Sequence, residues 1–274
     1  MASRSRWAAR LLFVLVLLGA LYAGLVIFED RFIYFPTEEI TATPADAGLE
    51  FEEIYFDTDD GLSLHGWWIP GRTGDATLLW FHGNGGNLSD RVGILELLHA
   101  ELDVGVFIFD YRGYGRSEGS PSERGLYTDA RAALEAATAS SGAEARDIVL
   151  YGQSLGAAVA VELATERESR AVVLEAPFTS VPDMARHHYG WLPVAPLLRT
   201  DFDSESRIAG IDASLLMLQG NQDEIVPVNL GRRLFDAARE PKEFVTIEGA
   251  GHNDIYLMDG YVAALRSFLR GLEA

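Results

Sequence analysis

The chain of 274 residues contains no cysteine, which excludes disulfides, thiolate nucleophiles and cysteine-held metal while leaving the redox compartment open. Lysine is almost absent. Lys242 is the only one, so 21 of the 22 basic residues are arginine. The six histidines (His65, His82, His99, His187, His188 and His252) show no H-E-x-x-H or similar metal spacing. His187 and His188 are adjacent, and neighbours on a helix point in different directions; no metal and no other cofactor is expected. No basic patch is present, and the net charge is −19, which excludes nucleic acid as a partner class. Such acidity with so little lysine suits a salt-rich habitat or an arginine-biased genome, and composition does not choose between them. Repeats and low-complexity blocks are also missing. What is present, 48% hydrophobic residues, is enough to bury the core of one large α/β domain.

Only one apolar run is long. Leu11 to Phe28 holds no charged residue, and as a helix it would span roughly 27 Å, close to the hydrocarbon thickness of a bilayer. Arg4, Arg6 and Arg10 precede it, whereas Glu29 and Asp30 follow it. The positive-inside rule then leaves residues 1–10 in the cytoplasm, makes 11–28 a transmembrane anchor and sends the domain to the outer, periplasmic or extracellular, side. A secretory signal peptide is the competing reading. Its core is usually about 7–15 residues and ends at a small-x-small site. Leu18-Gly19-Ala20 and Leu21-Tyr22-Ala23 both put leucine at the outer position, which favours an uncleaved anchor. The part beyond residue 10 carries −22, because three arginines and no acid are removed. Anionic headgroups would repel it, so the anchor has to do the holding.

Residues 29–48 read as a short linker that docks on a domain spanning 49–274. Leu49–Phe56 and Leu62–Ile69 read as a hairpin around Asp59-Asp60-Gly61. Short apolar runs of buried-strand type follow at Ala76–Phe81, Val104–Phe109, Ile148–Tyr151, Ala171–Leu174, Leu215–Leu218 and Phe244–Ile247. Helical periodicity fills Ser89–Leu102, Ser122–Ala139, Leu155–Arg167, Leu230–Ala238 and Tyr256–Leu272. This alternation predicts a mainly parallel sheet with helices on both faces and the site at the strand carboxyl ends. Residues 178–211 break the rhythm with Pro182, Pro193 and Pro196, and read as a small lid.

Gly152-Gln153-Ser154-Leu155-Gly156 lies between an apolar strand and a helix of small residues, the pattern of a nucleophile elbow. Ser154 is then the candidate nucleophile, and it needs a base and an oriented acid. Asp223, in Gly220–Pro227 after a late strand, is the candidate acid, with Glu224 as its immediate rival and Asp201 and Asp203 behind. A helix cap is the structural alternative for Asp223. His252, in Gly249–Asp254 after the last strand, is the candidate general base. The order Ser, Asp, His is that of α/β-hydrolases. In that fold the loop His82-Gly83-Asn84-Gly85-Gly86-Asn87 and the residue after the nucleophile supply the oxyanion hole, through the amides of Asn84 and Leu155. His82, Asp110 and Arg112 read as braces. Arg186–Trp191 reads as lid packing.

From Phe32-Ile33-Tyr34-Phe35-Pro36 to the last helix, the chain resembles the membrane-anchored α/β-hydrolases related to serine aminopeptidase-like and protein-depalmitoylating enzymes. Phe81–Asn87, Asp110–Gly119, Gly152–Gly156, Gly220–Pro227 and Gly251–Asp254 carry the resemblance. It implies a Ser154, Asp223, His252 triad with Asn84 and Leu155 as oxyanion donors. The expectation is a serine hydrolase acting on a small-molecule or lipid-like acyl ester or thioester. A non-catalytic binding or scaffold protein on the same fold, or an amidase or peptidase using the same triad, stays open. The oligomeric state is not legible.

Overall fold

The computed structural model describes residues 2–72, 76–191 and 194–272; within the first helix several side chains up to residue 27 lie outside the described set. That helix, α1, runs over Ala2–Ile33. The expected anchor over Leu11–Phe28 falls inside it, with the side chains of Leu11, Leu18 and Leu21 among those outside the described residues. Among the described residues no helix is long and apolar enough to cross a membrane.

The chain continues through β1 (Phe35–Pro36), β2 (Glu52–Asp57), β3 (Ser63–Ile69), β4 (Thr77–Phe81) and β5 (Gly85–Gly86). Next come α2 (Val92–Leu102), β6 (Gly105–Phe109), α3 (Glu123–Ser141), β7 (Ile148–Gln153), α4 (Leu155–Glu166) and β8 (Ala171–Glu175). The lid holds α5 (Val181–Tyr189) and α6 (Ser204–Arg207), and Pro193, one of its three prolines, lies outside the described residues. The last elements are β9 (Ser214–Gly220), α7 (Val228–Ala237), β10 (Lys242–Ile247) and α8 (Asp259–Gly271).

Eight strands form one sheet in the order β10-β9-β8-β7-β4-β6-β3-β2. β2 and β3 make the expected antiparallel hairpin, β3 is antiparallel to β6, and the remaining pairings are parallel. β4, β6, β7 and β8 are buried at every position because helices cover both faces. α3, α4 and α7 pack on one face, α2 and α8 on the other. Leu79, Phe81, Phe107 and Phe109 are fully buried between these layers. Each contributes about 1.5–3 kcal/mol relative to exposure.

Two helices start later than their periodicity suggests. Ser89–Leu102 opens as a 3₁₀ turn over Leu88–Arg91, because the Asn87 side chain accepts the Ser89 N–H (2.8 Å) while Asp90 accepts the Asn87 N–H (3.0 Å). Tyr256–Leu272 likewise begins as a 3₁₀ turn at Ile255–Leu257 before α8. The stretch read as a linker over 29–48 begins inside α1, which runs to Ile33. β1 pairs in parallel with β5, so the chain leaving α1 is hydrogen-bonded to the loop after β4.

Candidate active site

Ser154 sits between β7 and α4 with φ 53° and ψ −114°, a left-handed-side conformation that costs energy for any residue bearing a Cβ. The flanking glycines explain how the turn fits. A Cβ on Gly152 would lie 2.5 Å from the Gly156 carbonyl oxygen, and one on Gly156 would lie 2.0 Å from that of Phe81. Strand, turn and helix are thus pressed together at positions where only glycine fits. The Ser154 N–H donates to the Glu175 carbonyl (2.8 Å), which ties the elbow to β8.

His252 and Asp223 reach this serine from the two outermost parallel strands. Ser154 Oγ lies 3.1 Å from His252 Nε2, and His252 Nδ1 lies 2.8 Å from Asp223 Oδ2. A carboxylate only accepts, so Nδ1 carries the hydrogen and Nε2 is left to accept from the serine hydroxyl. The Asp223 side chain is fully buried, and its Oδ1 accepts the N–H groups of Ile225 (2.9 Å) and Val226 (2.7 Å). It does not cap α7, whose cap position is Pro227. The acid loop and the histidine loop hold each other: Gln222 N–H donates to the Ala250 carbonyl (2.8 Å), and Gly249 N–H donates to Asn221 Oδ1 (2.8 Å). Of the rival acids, Glu224 is exposed and Asp203 caps α6 through the Ser206 N–H (3.1 Å). Asp201 is exposed as well.

Leu155 is the first residue of α4, so its N–H has no helical carbonyl behind it. Asn84 lies three residues past β4, on a loop that passes over the elbow; a Cβ on Gly83 would stand 3.5 Å from Gln153 Oε1. His82 is fully buried with Nδ1 2.7 Å from the Gly83 carbonyl and Nε2 3.4 Å from Asp110 Oδ1, so it braces the loop. Burial works against an ionised Asp110. Contacts from His65 and His82 and the Leu88 amide outweigh it and hold the carboxyl below the usual carboxylate range. Arg112 is a brace too, bonded to Asp129 (Nε to Oδ1, 2.9 Å) and Asp60 (Nη1 to Oδ2, 2.8 Å). Among the described residues no group of three or more His, Asp or Glu is placed to hold a metal ion.

Two features had no signal in the sequence. Glu175 is buried behind the elbow, accepting from Gln153 Nε2 (2.8 Å), Tyr261 Oη (3.1 Å) and Tyr151 Oη. Burial pushes its carboxyl up, against those three donors. Glu29, which the sequence shows only as a charge flanking the apolar run, is 1% exposed. Its Oε1 accepts the N–H groups of Arg199 (2.9 Å) and Thr200 (2.8 Å) in the lid.

A mainly parallel sheet, a serine elbow after its fifth strand in chain order among the eight, and an acid and a histidine after the seventh and eighth define an α/β-hydrolase fold. A family model described as serine aminopeptidase, S33, matches residues 73–201. The chain is 41% identical over 269 residues to the uncharacterized protein Rv2307c of Mycobacterium tuberculosis, with 95% of each chain covered. It is 35% identical over 275 residues to protein bem46 of Schizosaccharomyces pombe, covering 95% of this chain and 91% of that one. The esterase Pf2001 of Pyrococcus furiosus superposes with a TM-score of 0.72 at 20% identity, covering 88% of this chain and 98% of that chain. The chain belongs to the family of α/β-hydrolase-domain proteins that includes Rv2307c and bem46, and its residues 73–201 are similar to the serine aminopeptidase S33 model.

Proposed function

We propose that the chain is a membrane-tethered serine hydrolase that cleaves an acyl ester or thioester through an acyl-enzyme. One observation carries the reading: Asp223, His252 and Ser154 form an unbroken hydrogen-bonded line, with the serine on a positive-φ turn at a helix N-terminus. Ser154 Oγ attacks the substrate carbonyl as His252 Nε2 takes its proton. Asp223 holds the ring and stabilises the imidazolium. The amides of Asn84 and Leu155 receive the negative charge that develops on the carbonyl oxygen. His252 returns the proton to the departing alcohol or thiol. It then takes a proton from water, whose oxygen attacks the acyl-enzyme and frees the acid and Ser154. This chemistry uses only the chain's own groups.

The tether is supported by the uncharged run Leu11–Phe28 and by the exposure of Leu12, Phe13, Leu15 and Val16 along α1, an apolar surface that water disfavours. Arg4, Arg6 and Arg10 favour a cytoplasmic amino terminus and an outer domain. Retention in the membrane fraction after alkaline wash is expected; release of a shortened soluble form would show a cleaved signal peptide instead.

The catalytic reading is tested with a fluorophosphonate probe. The wild type should label and Ser154→Ala should not. A wild type that stays unlabelled under conditions where other serine hydrolases react would sink the reading. A series of p-nitrophenyl esters and thioesters of rising chain length then measures the acyl pocket. Because the matching family model is described as an aminopeptidase, an aminoacyl p-nitroanilide belongs in the same series. Faster turnover of the anilide would favour the peptidase reading.

A further inference from the structure

The segment that leaves α1 makes more contacts with the site than a linker requires. In the last turn of α1, Glu29 grips the lid through the Arg199 and Thr200 amides, and Arg199 Nε lies 3.2 Å from Glu29 Oε2. Four residues on, the Ile33 carbonyl accepts from Asn84 Nδ2. Tyr114 Oη donates to Asn84 Oδ1 (2.9 Å). β1 then runs beside Gly85–Gly86, and the buried Asn87 Nδ2 donates to the carbonyls of Thr37 (3.2 Å) and Glu39 (2.7 Å). The end of α1 therefore touches both the lid and the oxyanion loop.

That arrangement fixes how far the site stands from the hydrophobic run. The run ends at Phe28 and the Asn84 contact is at Ile33, about 7.5 Å further along a helix that rises 1.5 Å per residue. Tilting α1 only shortens that height. The headgroup layer on each side of a bilayer is roughly 5–8 Å deep, from a total of about 40–45 Å around a core of about 30 Å. The oxyanion loop is thus held at the polar edge of a leaflet, and the lid is held one residue past the end of the run. Trp191 (82% exposed) and Tyr189 stand on the lid, with Leu197 two residues before Arg199. Phe32 (69% exposed) and Phe35 project from the docked segment. Trp and Tyr beside aliphatic groups suit the headgroup level. With a net charge of −19, attraction to anionic lipid cannot hold this rim, so its contact with the leaflet is apolar.

We propose that this rim is seated in the leaflet from which the domain emerges, and that the substrate is an acyl ester of the bilayer's own lipids. The inference rests on the tethered serine hydrolase reading and deepens it by naming the substrate class. Lipid ester carbonyls lie at the boundary between headgroups and hydrocarbon, the level at which Glu29 holds the lid, and the oxyanion loop stands about 7.5 Å above it, within the depth of the headgroup layer. The lipid therefore reaches Ser154 without leaving the membrane. The ester C–O bond breaks, the acyl group passes to Ser154 Oγ, and the lysolipid alcohol leaves with the proton from His252. Water then releases the fatty acid.

The test uses the full chain in phosphatidylcholine vesicles with two substrates: p-nitrophenyl acetate in the aqueous phase, and a phosphatidylcholine carrying a self-quenched fluorescent acyl chain in the bilayer. A flexible Gly/Ser insert after Phe28 leaves every contact of Glu29–Thr41 in place but frees the domain from the membrane level. It should leave p-nitrophenyl acetate turnover unchanged and lower lipid hydrolysis by on the order of tenfold, as the effective concentration at the leaflet falls. Brominated phosphatidylcholine should quench Trp191, seen as quenching in the wild type that Trp191→Phe loses. Equal lipid hydrolysis with and without the insert, or no quenching attributable to Trp191, would overturn the proposal. So would a dimer in which Trp191 is shielded by a second copy. If neither substrate is turned over by the wild type, the serine hydrolase reading itself has failed, an outcome distinct from loss of the lipid arm alone.

Discussion

The side-chain amide of Asn84 donates to the main-chain carbonyl of Ile33. The residue whose backbone N–H is assigned to the oxyanion hole is thereby fastened, through its side chain, to the end of the helix that contains the hydrophobic run. Position and chemistry meet in one residue. Asn84→Ala removes this bond and the one from Tyr114 while keeping the backbone N–H. The expected result is a fall in kcat of about tenfold on a soluble ester with KM little changed, less than the roughly 10²–10³ lost with an oxyanion donor itself. Steady-state kinetics on p-nitrophenyl esters check it.

Asp223 fixes which nitrogen of His252 carries the hydrogen. Asp223→Asn preserves shape but presents an N–H to Nδ1, which favours the wrong tautomer. A loss of kcat of about 10⁴ is expected, the size seen when a triad aspartate is so replaced. Circular dichroism should show the fold retained. Activity within a few-fold of wild type would move the acid role elsewhere.

Gly156 and Gly93 separate packing from propensity. A Cβ on Gly156 meets the Phe81 and His82 carbonyls at 2.0 and 2.7 Å, whereas on Gly93, within α2, it meets nothing within 4 Å. Gly156→Ala should lower the unfolding free energy by at least about 3 kcal/mol or prevent folding, because backbone has to move. Gly93→Ala should raise it by about 0.5–1 kcal/mol. Urea denaturation of the two variants gives the comparison.

Glu29→Ala leaves the Arg199 and Thr200 amides without their carboxylate, at a cost of about 1–3 kcal/mol. Glu29→Gln keeps an oxygen where Oε1 accepts both, and should restore most of that loss. The local readout is tryptic cleavage after Arg199, expected to accelerate in the alanine variant and not in the glutamine variant. Equal cleavage in all three proteins would remove the latch.

Hydrogen bonds from Arg112 and Thr58 lower the Asp60 carboxyl to about 2 from its ordinary 3.8. A folded-state pKa below the unfolded one means stability that is present above the unfolded value and lost as pH falls through the folded one. The Asp60–Arg112 contribution should therefore be whole above about pH 4 and gone below about pH 2. Because the Asp60 side chain is half exposed, its size is expected to be no more than about 1 kcal/mol. Urea midpoints for wild type and Asp60→Asn should differ at pH 6 and converge at the acid end.

The strands were legible because buried parallel strands read as continuous apolar runs: Ile148–Tyr151 and Ala171–Leu174 fall inside β7 and β8. Their carboxyl ends were not, since Gln153 and Glu175 are polar yet remain in the ladder, bonded to each other inside the protein. Asn87 shows a different limit. Helical periodicity over Ser89–Leu102 was real, but a side-chain cap on Ser89 turned the first residues into 3₁₀ structure. Glu29 was legible only as a charge flanking the apolar run. Its donors lie 170 residues away.

The elbow at Ser154 was determined by the sequence alone, because everything it needs is contiguous: an apolar strand, glycines two positions either side, and small residues opening a helix. The order Ser154, Asp223, His252 was equally legible, since each residue follows its own strand. Only the tertiary structure decided that these three meet, because sheet order sets which loops are neighbours, and local propensity carries no record of it. It alone decided that Glu29 holds the lid and that Asn84 holds Ile33. Such contacts depend on buried donors and acceptors finding partners across long chain separations, and that pairing exists only once the core has closed.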